Sequence, residues 1–356
     1  MRFLRIENCE AGMVIAKDIL SPNGVTLLRA GNVLKNQYIE NLRNFGYKGI
    51  YIEDNLSKGI HVKELVNSAL RNETTEILQD LFGKMKFITP REFDKTLKDI
   101  EELLDEVVDQ IIRNRESTVN IMSLKTFDQY TYQHSVDVSI LSVLIGKELK
   151  LQRPQLISLG TAAMFHDLGK MLVPLAILNK PGKLTESEFD EIKKHPEYGY
   201  TILKEKLNLP DIICEVALHH HERYNGAGYP HKLKADDIPF FAKIVAVADT
   251  YDAMTSKRVY KDAILASEAY EYIMSNAQEH FDPEIAKAFL KKVAPFPVGT
   301  TVMLSNGKQG IVTQNHEDFM MRPMVKLAPE HDGAEGVVVD LAIDPAMLSV
   351  TITQVL

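Results

Sequence analysis

The stretch His166-Asp167-Leu168-Gly169-Lys170 closes an apolar run, Leu156–Phe165, that reads as a buried helix. An imidazole beside a carboxylate at a helix end sets a nitrogen and an oxygen donor in one place. More such donors lie on either side. His134 stands 32 residues earlier on another helical stretch, and His195 stands 29 residues later. His219-His220-His221-Glu222 follows, and Asp249 sits inside the apolar run Ile244–Met254. Successive helical residues turn by about 100°, so at most two of the three adjacent histidines can serve one site.

Each residue alone has an ordinary reading. His134 would be a hydrogen-bonded helix residue, and Asp249 a buried carboxylate paired with a lysine, since an unpaired one is costly. As a set they point elsewhere. Imidazole nitrogen with carboxylate oxygen suits zinc, iron and manganese. A carboxylate can bridge two cations, and paired metals are a standard device for attacking phosphate esters. There is no thiolate cluster, so a structural zinc finger is not the reading.

Composition sets the frame. The chain has 356 residues, 45% hydrophobic and 25% charged, which is ordinary globular usage. Lys and Arg number 41 against 49 Asp and Glu, a net charge of −8, which disfavours nucleic acid as a partner. No apolar run approaches the roughly 20 residues of a membrane span, so no membrane association is expected. No signal peptide is readable in Met1–Glu10, and two distant cysteines, Cys9 and Cys214, give no disulfide framework. A cytoplasmic location is expected.

The expected fold class is mainly α, with a small N-terminal α/β unit and a C-terminal antiparallel β appendage. Residues 1–58 hold strand candidates Met13–Ala16, Thr26–Leu28 and Gly49–Ile52, a turn at Pro22-Asn23-Gly24, and a helix Gln37–Phe45 stopped by Gly46. Residues 59–116 read as a helical linker. In it Phe93, Leu97, Ile100, Leu104, Val107 and Ile111 are spaced 4, 3, 4, 3, 4, a short heptad seam. It reads either as an amphipathic helix packed on its own domain or as one that pairs two chains, and a homodimer is expected. Residues 117–294 are helix-rich. Thr185 and Glu188 form a capping box there, and Asp282-Pro283 opens a helix. Residues 295–356 read as β, with a hairpin turn at Ser305-Asn306-Gly307.

The ordered series His134, His166-Asp167 and Asp249 resembles the HD superfamily of metal-dependent phosphohydrolases. His166–Lys170, His195, His220-His221-Glu222-Arg223-Tyr224-Asn225-Gly226-Ala227-Gly228-Tyr229-Pro230 and the run from Asp249 to Arg258 resemble its HD-GYP branch. The likeness covers about residues 117–293. It implies an all-helical HD-type domain and a cyclic di-GMP phosphodiesterase. His134, His166, Asp167, His195, His220, His221 and Asp249 would hold two divalent metals, iron or manganese with zinc as a further option, and Asp167 would bridge them. Lys170 would lie near the scissile phosphate. Gly228, Tyr229 and Pro230 would shape a loop beside the site, open to signalling partners, and Arg258 and Lys261 would meet ligand phosphates. A metal-bridging hydroxide would attack phosphorus, giving pGpG and then, if hydrolysis continues, GMP. Two positions depart from the family pattern. Asn225 replaces a common aspartate. Tyr130 stands where some members place a glutamate tied to a third metal, so two ions are expected. The competing readings are a cyclic dinucleotide sensor with weak turnover, or an HD phosphohydrolase of another nucleotide such as cyclic GMP-AMP.

Overall fold

The computed structural model describes the chain except for residues 21–25, 46, 48, 86, 115–129, 181, 257–263 and 330–335, and only the backbone of Leu20, Tyr130 and Thr131. The turn at Pro22-Asn23-Gly24 and the stop at Gly46 lie outside the described residues. No helix among the described residues is long and apolar enough to cross a membrane.

The chain forms two compact units, and one of them joins its two ends, Met1–Leu65 and Val293–Leu356. The N-terminal part contributes β1 (Arg2–Arg5), β2 (Val14–Ile15), β3 (Ile19–Leu20), β4 (Thr26–Leu28), α1 (Asn36–Asn44) and β5 (Gly49–Glu53). Strands β1, β5 and β2 make an antiparallel sheet in the order β1-β5-β2, and β3 pairs with β4. Leu4, Ile6, Ile15, Leu34, Leu42 and Ile52 are its buried core. The C-terminal part contributes β6 (Thr301–Leu304), β7 (Gln309–Gln314), β8 (Met324–Leu327), β9 (Val338–Asp340) and β10 (Ile352–Val355), ordered β10-β6-β7-β8-β9. The expected turn joins β6 to β7: Gly307 has φ +80°, and Asn306 Oδ1 accepts from Lys308 N at 3.1 Å. The two ends of the chain meet where Phe3 N donates to Gly299 O at 2.7 Å and Thr301 Oγ1 donates to Phe3 O at 3.1 Å.

The other unit is helical. Its elements are α2 (Ser68–Lys84), α3 (Pro90–Arg113), α4 (Tyr130–Glu148), α5 (Arg153–Phe165), α6 (Leu175–Leu178), α7 (Glu186–Ile192), α8 (His195–Thr201), α9 (Asp211–His219), α10 (Phe240–Thr255), α11 (Ala266–Ser275) and α12 (Pro283–Lys292). The expected caps form. Glu188 N donates to Thr185 Oγ1 and Thr185 N to Glu188 Oε2, while Asp282 Oδ1 accepts from Glu284 N. Helix α4 is central and packs on α5, α10, α12, α2 and α3. Val136, Val138, Leu141 and Ile145 are buried, and so are Ser135, Ser139 and Ser142, so α4 is covered all round.

The heptad seam packs on its own domain. Phe93, Ile100, Leu104, Val107 and Ile111 are each at most 1% exposed, because α3 packs against α5, α2 and α4 of its own unit. Burying each such side chain is worth about 1.5–3 kcal/mol, and that gain is already taken within one chain. These five positions of the seam are core within one chain, and Leu97 is half-buried.

Candidate metal centre

Three helices, the ends of two more and a 3₁₀ turn bring the expected ligands together. His134 lies on α4. His166 caps the C-terminus of α5, and Asp167 starts the 3₁₀ turn Leu168–Leu172. His195 is the first residue of α8, His220 and His221 follow the last residue of α9, and Asp249 lies within α10. Close approach of two backbones sets part of this geometry. A Cβ on Gly169 would sit 1.9 Å from His195 O and 2.5 Å from Gly199 N, so only glycine lets α8 come this near to Asp167.

The Asp167 carboxylate is the hub. Its Oδ1 is 3.3 Å from His195 Nε2 and 3.7 Å from His220 Nε2. Its Oδ2 is 3.3 Å from His166 Nε2 and 3.8 Å from His134 Nε2. Asp249 Oδ1 completes the second side, 3.0 Å from His134 Nε2 and 4.0 Å from His166 Nε2. His221 joins the first side, with a donor atom within 4.8 Å of those of Asp167, His195 and His220. The two oxygens of one carboxylate thus face two separate donor sets.

The far sides of the rings explain why the Nε2 atoms point inward. His166 Nδ1 donates to Ala163 O at 2.6 Å, His195 Nδ1 to Ile192 O at 2.7 Å, and His220 Nδ1 to Ala217 O at 3.0 Å. His134 Nδ1 donates to Asp252 Oδ2 at 2.7 Å. Each bond fixes a tautomer and a ring orientation, as in metal-binding histidines generally. Asp252 was not singled out from the sequence. Its signal was there, since Asp249 and Asp252 are three apart and share a helix face.

Burial and neighbouring charges set the protonation of each donor differently. Burial pushes His220 down to about 4 and His221 well below its usual range, with neighbouring histidines adding to the effect, so both rings are neutral with free lone pairs. Burial pulls His134 down too, but Asp249 and Asp252 outweigh it and raise it to about 9. Burial pushes the carboxyls of Asp167 and Asp249 up. For Asp167 it is outweighed by Lys170 and His166, and for Asp249 by His134, leaving both well below the usual carboxylate range. Lys170 Nζ pairs directly with Asp167 Oδ2 and is partly exposed. His166 Nε2 and Asp167 Oδ1 are buried and make no hydrogen bond among the described residues. Buried polar atoms left so, beside the neutral His220 and His221 rings and two carboxylates, fit divalent cations held between them.

The Gly228-Tyr229-Pro230 segment lies against the same residues. A Cβ on Gly228 would meet Arg223 N at 2.4 Å and Glu222 Cα at 2.5 Å, which holds the loop down on the His-His-Glu run. The Tyr229 ring stacks on His221 with centroids 4.8 Å apart, and Tyr229 N donates to His221 O. Asn225 Nδ2 donates to Glu279 Oε2 at 2.9 Å while its Oδ1 accepts from Ala227 N. An aspartate at this position would set two carboxylates against each other. Arg258, Lys261 and the Tyr130 side chain lie outside the described residues.

The chain matches the HD domain family over residues 104–285. It is 41% identical over 226 residues to a cyclic di-GMP phosphodiesterase of Pseudomonas aeruginosa, an overlap covering 64% of this chain and 54% of that protein. It is 34% identical over 248 residues to a cyclic di-GMP phosphodiesterase of Thermotoga maritima, covering 67% and 65%. It is 31% identical over 229 residues to a 3'3'-cGAMP-specific phosphodiesterase of Vibrio cholerae, covering 64% and 43%. In each case the chain spans less than two thirds of the relative's own length. Among solved structures, an HDG"Y"P protein from Bdellovibrio bacteriovorus superposes with a TM-score of 0.54 at 17% identity, over 81% of this chain and 97% of that one. That likeness concerns the fold.

Proposed function

The chain belongs to the HD domain family, and from that premise we propose that it is a metal-dependent phosphodiesterase that opens cyclic di-GMP to pGpG. One observation carries the reading: the split of the Asp167 carboxylate between His195, His220 and His221 on one side and His134, His166 and Asp249 on the other. These residues would hold two ions, iron or manganese with zinc as a further option, all of which imidazole and carboxylate donors accept. Bound there, the cations would supply Lewis-acid charge to the phosphate and lower the pKa of the attacking water.

The chain's own groups do the rest. Lys170 presents a positive charge at the rim of the site, where charge develops on the phosphate. Arg258 and Lys261 would bind the ligand's phosphates as fork and point charge. Tyr229, on the face of His221, gives a guanine base or ribose an aromatic neighbour.

The names of two relatives support cyclic di-GMP, and that of the Vibrio cholerae relative gives 3'3'-cGAMP a place as the second substrate to test. The experiment is product analysis with each cyclic dinucleotide after loading with iron or manganese, beside Asp167→Ala. The expected result is pGpG from cyclic di-GMP, lost by orders of magnitude in the variant while its helical signal persists. Wild-type turnover and metal content in Asp167→Ala would overturn the assignment.

A further inference from the structure

Three donors gather outside this centre. Helix α9 ends at His219, and the next two residues turn towards Asp167. His219 faces another way, and Glu222, three residues on, returns to its side. His219 Nδ1 is 3.8 Å from Glu222 Oε1, and the His219 and His231 rings are 5.3 Å apart between centroids. One donor atom from each of His219, Glu222 and His231 falls within 4.8 Å of the others.

We propose that His219, Glu222 and His231 form a separate cation site for a zinc-class divalent ion. Three observations support a ligand here. First, His219 is 8% exposed, and its Nδ1 is buried without a hydrogen bond among the described residues. A buried nitrogen left so is costly, and a cation would satisfy it. Second, Glu222 is oriented in advance. Its Oε1 accepts from His231 N at 2.7 Å and its Oε2 from Leu233 N at 3.1 Å, and each oxygen keeps a further lone pair. Third, two imidazoles with a carboxylate are a zinc ligand set that leaves a fourth position open. Donors around tetrahedral zinc lie about 3.3–3.4 Å apart, from bond lengths near 2.0–2.1 Å. Closing to that spacing needs small movements of His219 and Glu222 towards each other and of His231 towards both, and His231, which is exposed, gives the ion its way in.

The position gives the ion a role. His231 follows the Tyr229-Pro230 pair, and His219 precedes two ligands of the main centre. An ion held between them ties the Gly-Tyr-Pro loop to the end of α9 and restrains Tyr229 over His221.

The test is zinc titration of the full chain, counting bound metal by elemental analysis after desalting, with hydrogen exchange of residues 225–233. The wild type should hold one zinc equivalent more than His231→Ala, and exchange in the loop should slow on zinc addition in the wild type alone. In Asp167→Ala, where the main centre is broken, that one equivalent should remain and should vanish on adding His231→Ala. Equal zinc counts in the wild type and His231→Ala at every concentration would overturn the proposal. So would loss of the extra equivalent with Asp167→Ala alone.

Discussion

Gly169 and His195 touch backbone to backbone: a methyl on Gly169 would sit 1.9 Å from the His195 carbonyl oxygen. No rotamer change relieves such a clash, since both partners are main chain. Gly169→Ala must therefore push α8 away from the 3₁₀ turn that follows Asp167. We expect a stability loss of about 1–3 kcal/mol from overpacking. We expect a larger loss in metal affinity, because His195 moves off Asp167 Oδ1. Thermal melts beside metal titration check this, and a variant with wild-type metal affinity would show that α8 relaxes without moving its ligand.

Asp252→Ala removes the acceptor for His134 Nδ1 and leaves every proposed ligand in place. Loss of such an orienting partner typically costs 10–100-fold in metal affinity. Asp252→Asn, which keeps an acceptor oxygen, should recover part of it. Competition with a chelator gives the affinities. Equal affinity in the wild type and Asp252→Ala would remove Asp252 from the site.

How far the sequence reaches is clear from particular residues. The cluster of candidate donors is legible because its chemistry is written in residue types, and the starts of α7 and α12 because their caps are local. The seam on α3 is only half legible: spacing 4, 3, 4, 3, 4 says which face is apolar, and says nothing of whether Phe165 of the same chain or a second chain will cover it. The contact of Phe3 with Gly299 is invisible for a related reason. Strand pairing across nearly the whole chain leaves no local signal in either partner. His219 and His231 stood in the sequence without a shared motif, since the turn that joins them depends on Gly228 reaching the Glu222 backbone.

The unit formed by the chain ends should weaken in acid. Burial pushes the Asp54 carboxyl up, but bonds from Ser57 and the Arg2 guanidinium outweigh it and hold it below its usual value. A carboxyl depressed in the folded state stabilises above its unfolded pKa, about 3.9, and loses that contribution as pH falls through the folded value. The stability gap between the wild type and Asp54→Asn should then be widest near neutrality and shrink below about pH 4. Urea unfolding across that range measures it. A gap that stays constant would mean the pair with Arg2 contributes nothing that titrates.

Helix α4 carries His134, and one turn on, Asp137 holds it to α2. Arg71 Nε and Nη2 meet Asp137 Oδ1 and Oδ2 at 2.7 and 2.8 Å, with both side chains 4% exposed. Gln133 adds a bond to Oδ1 at 3.2 Å. Removing one partner leaves a charge buried and unpaired, so Asp137→Ala should cost about 3–5 kcal/mol. Removing both is a different matter, because the desolvation penalty goes with the charges. Arg71→Met with Asp137→Leu should recover most of the loss. If the pair serves only stability, the double variant should also regain metal binding at His134. If it also sets the pitch of α4 over Asp167 and Asp249, the double variant should fold as well as the wild type yet bind metal more weakly. The buried, bidentate geometry favours the second outcome, since a planar fork fixes direction as well as distance. Denaturant unfolding and metal titration on the same three proteins decide it, and a single Asp137→Ala costing under about 1 kcal/mol would show the pair to be no more than a surface-grade bridge.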